Sequence, residues 1–164
     1  MGNWLRGLIV FMMVLLVGGR ASAAPTIDGI SCDRMEGSAF HIHQHLAIFD
    51  HGKLVRIPND VGRPPFDGCF YWLHTHTDDG IIHVESPTFR TFTLGAFFDI
   101  WGQPLSDKQV GPIKISRGKV RTYVDSELYM GNLRAIELFQ HTDIVIELGP
   151  PYTHPKLFTD WNGN

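Results

Sequence analysis

Beyond residue 23 the sequence has no apolar run of bilayer length, so stable membrane insertion is not expected of that part of the chain. It is also short of basic side chains, with 14 Lys and Arg against 17 Asp and Glu. Residues 1–23 hold two of the 14, Arg6 and Arg20, and no acid, so the remainder carries a net charge of −5. A nucleic-acid partner would need a basic face, and this balance argues against one. No serine nucleophile elbow, phosphate-binding glycine loop or free-thiol catalytic pattern occurs. The spacing of His and Glu is wrong for the usual cupin signature. Internal repeats and linkers are missing too, which leaves one domain as the expected organisation.

The only long apolar stretch, "GLIVFMMVLLVGG" (7–19), follows Arg6 and precedes the small residues "ASA" (21–23). A basic start, an apolar centre and a small-residue cleavage site mark a secretory signal peptide, and the stretch is too short for a membrane span. Residues 1–23 are read as that peptide and 24–164 as one mature domain, secreted or periplasmic. Cleavage there leaves no N-terminal histidine to build a metal site on, and Cys32 lies too far along for lipid attachment. Scarcity of cysteine then becomes informative. In an oxidising compartment the only two, Cys32 and Cys69, imply one disulfide, with a pair of thiolate metal ligands as the alternative.

Residues 24–39 show no period. From Phe40 the pattern changes: "FHIHQHLAIF" (40–49) alternates, with His41, His43 and His45 on one face and Ile42, Gln44, Leu46 and Ile48 on the other. "DHG" (50–52) is a turn and "KLVRI" (53–57) a returning strand. After a loop over 58–68, "CFYWLHTH" (69–76) and "IIHVES" (81–86) read as two hairpin arms around "TDDG", Asp-Gly being favoured in type I′ turns. Thr93 as N-cap, Phe92 and Phe97 at staple positions and Gly102 before Pro104 predict a helix over 94–101. Further strands are expected at 112–116, 119–125, 135–139 and 144–148; 135–139 reads alternatively as two helical turns from Asn132. The tail 149–164 is turn-rich and expected along the surface. The class is mainly β, a small antiparallel sandwich or a β-grasp-like sheet with one short helix.

What the chain does have is histidine. There are nine, seven of them between residues 41 and 83. Parity puts His74 and His76 on one face of the first hairpin arm, and His83 and Glu85 on one face of the second. A two-residue loop would set His76 opposite His83 and His74 opposite Glu85. A four-residue loop would set His74 opposite His83, and a three-residue loop would separate the sets. Opposed Cβ atoms are about 5 Å apart and same-face neighbours about 6.7 Å, so imidazoles there can converge on one ion at about 2.0–2.1 Å. His74, His76 and His83 are the expected ligands of a mononuclear site, with His43 and His45 contributing from the first strand. His41 sits at that strand's fraying start. His51, His141 and His154 fall at or beside turns and read as surface residues. Glu85 is a candidate ligand, a partner to an imidazole N–H, or a catalytic base for bound water.

The segments "HIHQHLAIF", "CFYWLHTHTDDGIIHVESP" and "TFTLGAFFDIWG" together resemble a group of small exported prokaryotic proteins that carry such motifs in this order. The resemblance spans residues 40–150. It implies an exported single domain and transfers no catalytic residue. The expected cofactor is a divalent metal, copper or zinc, since imidazole sites suit both and no thiolate is needed. Oxidative chemistry would go with copper, and hydration or hydrolysis with zinc, on a small-molecule or glycan substrate. The alternatives are a periplasmic metal carrier or buffer, and a structural or carbohydrate-binding domain using Tyr71, Trp72, Trp101 and Trp161.

Overall fold

The alternation that begins at Phe40 becomes the longest strand of the structure, a computed structural model. It describes residues 24–65, 68–116, 118–153, 156–161 and 163–164. Residues 1–23, read above as a signal peptide, and His154 lie outside the described residues.

In chain order the elements are β1 (Cys32–Asp33), β2 (Phe40–Asp50), β3 (Lys53–Val55), β4 (Phe70–Tyr71), β5 (Leu73–His74) and β6 (Ile81–Ser86). There follow α1 (Leu94–Trp101), β7 (Gln109–Val110), β8 (Ile113–Lys114), β9 (Lys119–Val124), β10 (Glu127–Tyr129), a 3₁₀ turn (Leu133–Ala135) and β11 (Asp143–Gly149). One seven-stranded sheet runs β10-β9-β11-β2-β6-β5, with β3 also paired to β2. β1 with β4, and β7 with β8, form separate two-stranded pieces. The protein is thus mainly β with one short helix, as its patterning implies. The central β2–β11 pair is parallel while its flanks are antiparallel. A parallel neighbour requires a long crossover, here supplied by everything between Asp50 and Asp143.

Strand parity divides the sheet into two faces. Leu46 and Ile48 of β2, Ile82 and Val84 of β6, and Ile144, Ile146 and Leu148 of β11 point into one core with Phe92, Leu94, Phe97 and Phe98. The helix begins where its cap allows: the Thr93 hydroxyl accepts from the Ala96 amide at 3.3 Å, and Phe92 and Phe97 are both buried. It ends at Gly102, whose φ of 68° gives the left-handed cap. The strand histidines His41, His43, His45, His74 and His83 occupy the opposite face, and the C-terminal tail reaches it at His45 and Glu147. There the Phe158 ring stacks on His45 at 3.8 Å and the Thr153 hydroxyl donates to Glu147 at 2.6 Å.

Two local expectations are corrected, and one strand carries no signal in the sequence. The type I′ turn is at His51-Gly52, with φ of 50° and 76°, and not at Asp79-Gly80, where only Gly80 has positive φ. The connection runs over residues 75–80 with the pairing register of a four-residue loop, and Asp79 instead accepts the Ile81 amide on its carboxylate at 3.1 Å. Residues 135–139 form no sheet strand. Their backbone bonds go to the helix entry, Leu94 N–H to Ile136 O and Leu138 N–H to Phe92 O, and a 3₁₀ turn capped by Asn132 precedes them. Finally β10 was not foreseen: its hairpin turns on Asp125 and Ser126, both at positive φ without a glycine to announce it.

Candidate metal centre

Three adjacent strands build the site. β5, β6 and β2 align so that His74 pairs with His83, and His83 with His43. One step along, Glu85 pairs with His41, while its amide donates to Trp72 O at 2.7 Å. This is the register of the four-residue loop. His76 lies past the end of β5 and swings back, its ring 4.8 Å from that of His74 and 4.4 Å from that of His83.

Two groups of possible ligand atoms result, His41, His43, His83 and Glu85, and His74, His76, His83 and Glu85, each within 4.8 Å mutually. The closest approaches are between imidazole nitrogens. His41 Nε2 is 3.0 Å from His43 Nε2, and His74 Nε2 is 3.1 Å from His76 Nε2. Glu85 Oε1 sits 3.2 Å from His41 Nε2 and 3.4 Å from His83 Nδ1. Two ligands on a tetrahedral ion bonded at 2.0–2.1 Å would stand about 3.3 Å apart, so these spacings need little adjustment.

His74 is fully buried, and its Nδ1–H donates to Tyr71 O at 2.9 Å, which leaves the Nε2 lone pair facing the cluster. Such a backbone bond on the remote nitrogen is the usual support of a metal-binding histidine. The buried Nδ1 atoms of His43 and His83 make no hydrogen bond among the described residues. Burial holds His43 and His74 down at about 4 and His83 at about 3, with neighbouring imidazoles adding to the effect for all three. They are neutral near pH 7, the state that ligates. Glu85 is pushed up to about 7, first by burial and then by the Glu36 carboxylate opposite it. A set of this kind could hold a metal ion in donor type and protonation.

His45 does not join the cluster. It lies opposite Ile81, which offers no donor, and its Nδ1 is 2.7 Å from Asp143 Oδ1 while Phe158 covers its ring. His41 takes the place expected of it, because β2 is paired along its whole start. His51 and His141 are exposed turn residues at positive φ. Glu36 was missed: its Oε1 is 3.8 Å from His74 Nε2 and 3.6 Å from His76 Nε2. It sits in the aperiodic segment, but the Cys32–Cys69 disulfide, present with a Cα separation of 5.3 Å, draws that segment beside β4 and β5. Two cysteines flanking the histidine arm were the available signal. The aromatic residues considered for carbohydrate contact are otherwise engaged. Tyr71 is buried and donates to Pro25 O, Trp72 donates to Asp33, Trp101 packs on Phe97 and Phe98, and Trp161 stacks on His141.

The fold and the centre thus define a small mixed-sheet protein with a histidine–glutamate cluster able to hold a metal ion. No family model, no curated protein and no solved structure matches the chain. Among the described residues no helix is long and apolar enough to cross a membrane.

Proposed function

We propose that the protein is an exported metalloprotein whose histidine cluster holds copper or zinc and serves a metal-dependent enzyme. The observation that supports this best is the approach of His83 and Glu85 to two imidazole pairs, His41 with His43 and His74 with His76, the ligand atoms of each group lying within 4.8 Å of one another. The buried Nδ1 of His83 is unbonded and 3.4 Å from Glu85 Oε1; an unpartnered buried polar atom costs free energy, and an ion there would offset that cost. The disulfide fits an oxidising compartment, and the resemblance to small exported proteins points the same way. Substrate would approach from the side of His41 and His76, whose side chains are 49% and 35% exposed. A zinc ion there would lower the pKa of bound water for hydration or hydrolysis, and a copper ion would support oxidation. Glu85, whose Oε1 is 3.2 Å from His41 Nε2 and 3.4 Å from His83 Nδ1, would touch the ion or water on it. Retention of metal with loss of activity in Glu85→Gln would mark a base; loss of metal would mark a ligand.

The test is metal analysis of untagged protein from an oxidising compartment, followed by titration of single variants. At least one copper or zinc per chain is expected. His74→Ala, His76→Ala or His83→Ala should weaken binding by more than the ~10–100-fold cost of losing a supporting hydrogen bond. His51→Ala and His141→Ala should leave affinity unchanged. Wild-type affinity in the His74→Ala and His83→Ala proteins would end the reading. The same exposed rim favours a second reading, a metal carrier or buffer. Transfer of the ion to a chelator within seconds would support the carrier, and an ion retained through turnover the enzyme.

A further inference from the structure

The donors around Glu85 are too many for one ion. Five imidazoles and two carboxylates converge there: His41, His43, His74, His76, His83, Glu36 and Glu85. A structural zinc takes four protein ligands, and a catalytic zinc three with a water in the fourth position. The donors also divide in space. His41 and His43 approach each other to 3.0 Å on β2, and His74 and His76 to 3.1 Å at the end of β5. Between these pairs lies β6, which contributes only His83 and Glu85 to the cluster, and both residues belong to both groups.

We infer that the centre is dinuclear, two divalent cations side by side with the Glu85 carboxylate bridging them. One ion takes His41, His43, His83 and one Glu85 oxygen. The other takes His74, His76, Glu36 and the second Glu85 oxygen. Each then has four protein donors, and Glu36, whose carboxylate stands 3.6–3.8 Å from both imidazoles of its set, is explained. A carboxylate offers two oxygens, so one side chain can serve two ions about 3.5–4 Å apart, the spacing of two-metal sites. Glu85 is suited to this position because it is 5% exposed and held by its strand pairing between β2 and β5. The arrangement rests on the metal-binding reading above and extends it from one ion to two.

The experiment is zinc stoichiometry by equilibrium dialysis on the full oxidised chain, with metal content measured directly. Two zinc ions per chain are expected. His41→Ala should lose the first ion and keep the second; His76→Ala and Glu36→Gln should do the reverse, each leaving one. All three side chains lie at the exposed rim, so these variants should fold, and unchanged circular dichroism would verify it. His51→Ala should still bind two. A wild-type ratio of one, abolished by His41→Ala and by His76→Ala alike, would overturn the second ion while leaving the metal-binding reading intact. A ratio of zero would remove both. Two ions untouched by any of the three variants would place them elsewhere and overturn the inference. Copper gives an independent readout: two Cu(II) joined through Glu85 should couple and show far less spin signal than two isolated ions. His76→Ala should restore the signal of one uncoupled copper, and full signal from two coppers in the wild type would overturn the bridge.

Discussion

His83 stands in the middle of a row of three imidazoles, and burial with its neighbours makes it the most resistant of them to protonation. The folded metal-free protein keeps His43 and His74 at about 4 and His83 at about 3, whereas the unfolded chain takes these protons near 6.5. As pH falls from about 6.5 toward 4 the unfolded state gains protons that the folded state refuses, so these residues destabilise the fold progressively. Glu85 has the opposite sign. Raised from 4.5 to about 7, it favours the folded state below 4.5, and that contribution is lost as pH rises to 7. Three imidazoles outweigh one carboxylate. The urea midpoint of metal-free protein should therefore rise between pH 4.5 and 6.5, and His83→Ala should flatten the rise. A level or falling wild-type profile would show that the imidazoles are not held neutral.

At the scale of elements, the connection between β5 and β6 sets the register that makes the cluster. Gly80 is indispensable to it: its φ is 89°, and a Cβ would lie 2.5 Å from Leu46 O. Gly80→Ala should cost at least the ~1–3 kcal/mol of a strained backbone residue and weaken metal binding as well. Thr93→Ala, which removes only the helix cap, should cost about 1 kcal/mol and leave metal binding unchanged. Urea denaturation and zinc titration of the two variants would separate them, and equal metal affinity in both would show that the turn does not set the site. Parity made β2, β6 and the separate pairs His74 with His76 and His83 with Glu85 legible in the sequence, and capping residues located α1 to its observed ends. Loop length could not be read, because Asp-Gly permits more than one turn, and so the sequence left two registers open. Residues 135–139 alternate as a strand does, with Ile136 and Leu138 buried, yet they pair with the helix entry. A period of two reports one buried side and not which partner buries it. Glu36 lay beyond periodic reasoning because a disulfide, not a strand, positions it.

For the whole molecule, the disulfide and the central parallel pair matter most. Intact-mass analysis of oxidised, denatured protein should find no alkylatable thiol. Reduction should remove roughly 4 kcal/mol in the chain-entropy model. It should first loosen residues 24–39, whose other ties include two pairs with β4, the buried Ile30, the Tyr71 bond to Pro25 O, the Trp72 bond to Asp33, the Arg90 bonds to the carbonyls of Asp28 and Gly29 and the approach of Glu36 to His74 and His76. Hydrogen exchange that rises there while β2, β6 and β11 stay protected is the expected result; simultaneous loss across the sheet would contradict it. The parallel pair bears on timing. Every donor of the centre, from Glu36 to Glu85, is synthesised before the strand that completes the sheet beside β2, Asp143–Gly149. Neighbouring hairpins close quickly, whereas pairing His45 with Asp143 must wait for the rest of the chain. The histidine rows can therefore assemble while one edge of β2 is still bare, and an ion captured at that stage acts as a template for the half of the protein that folds first.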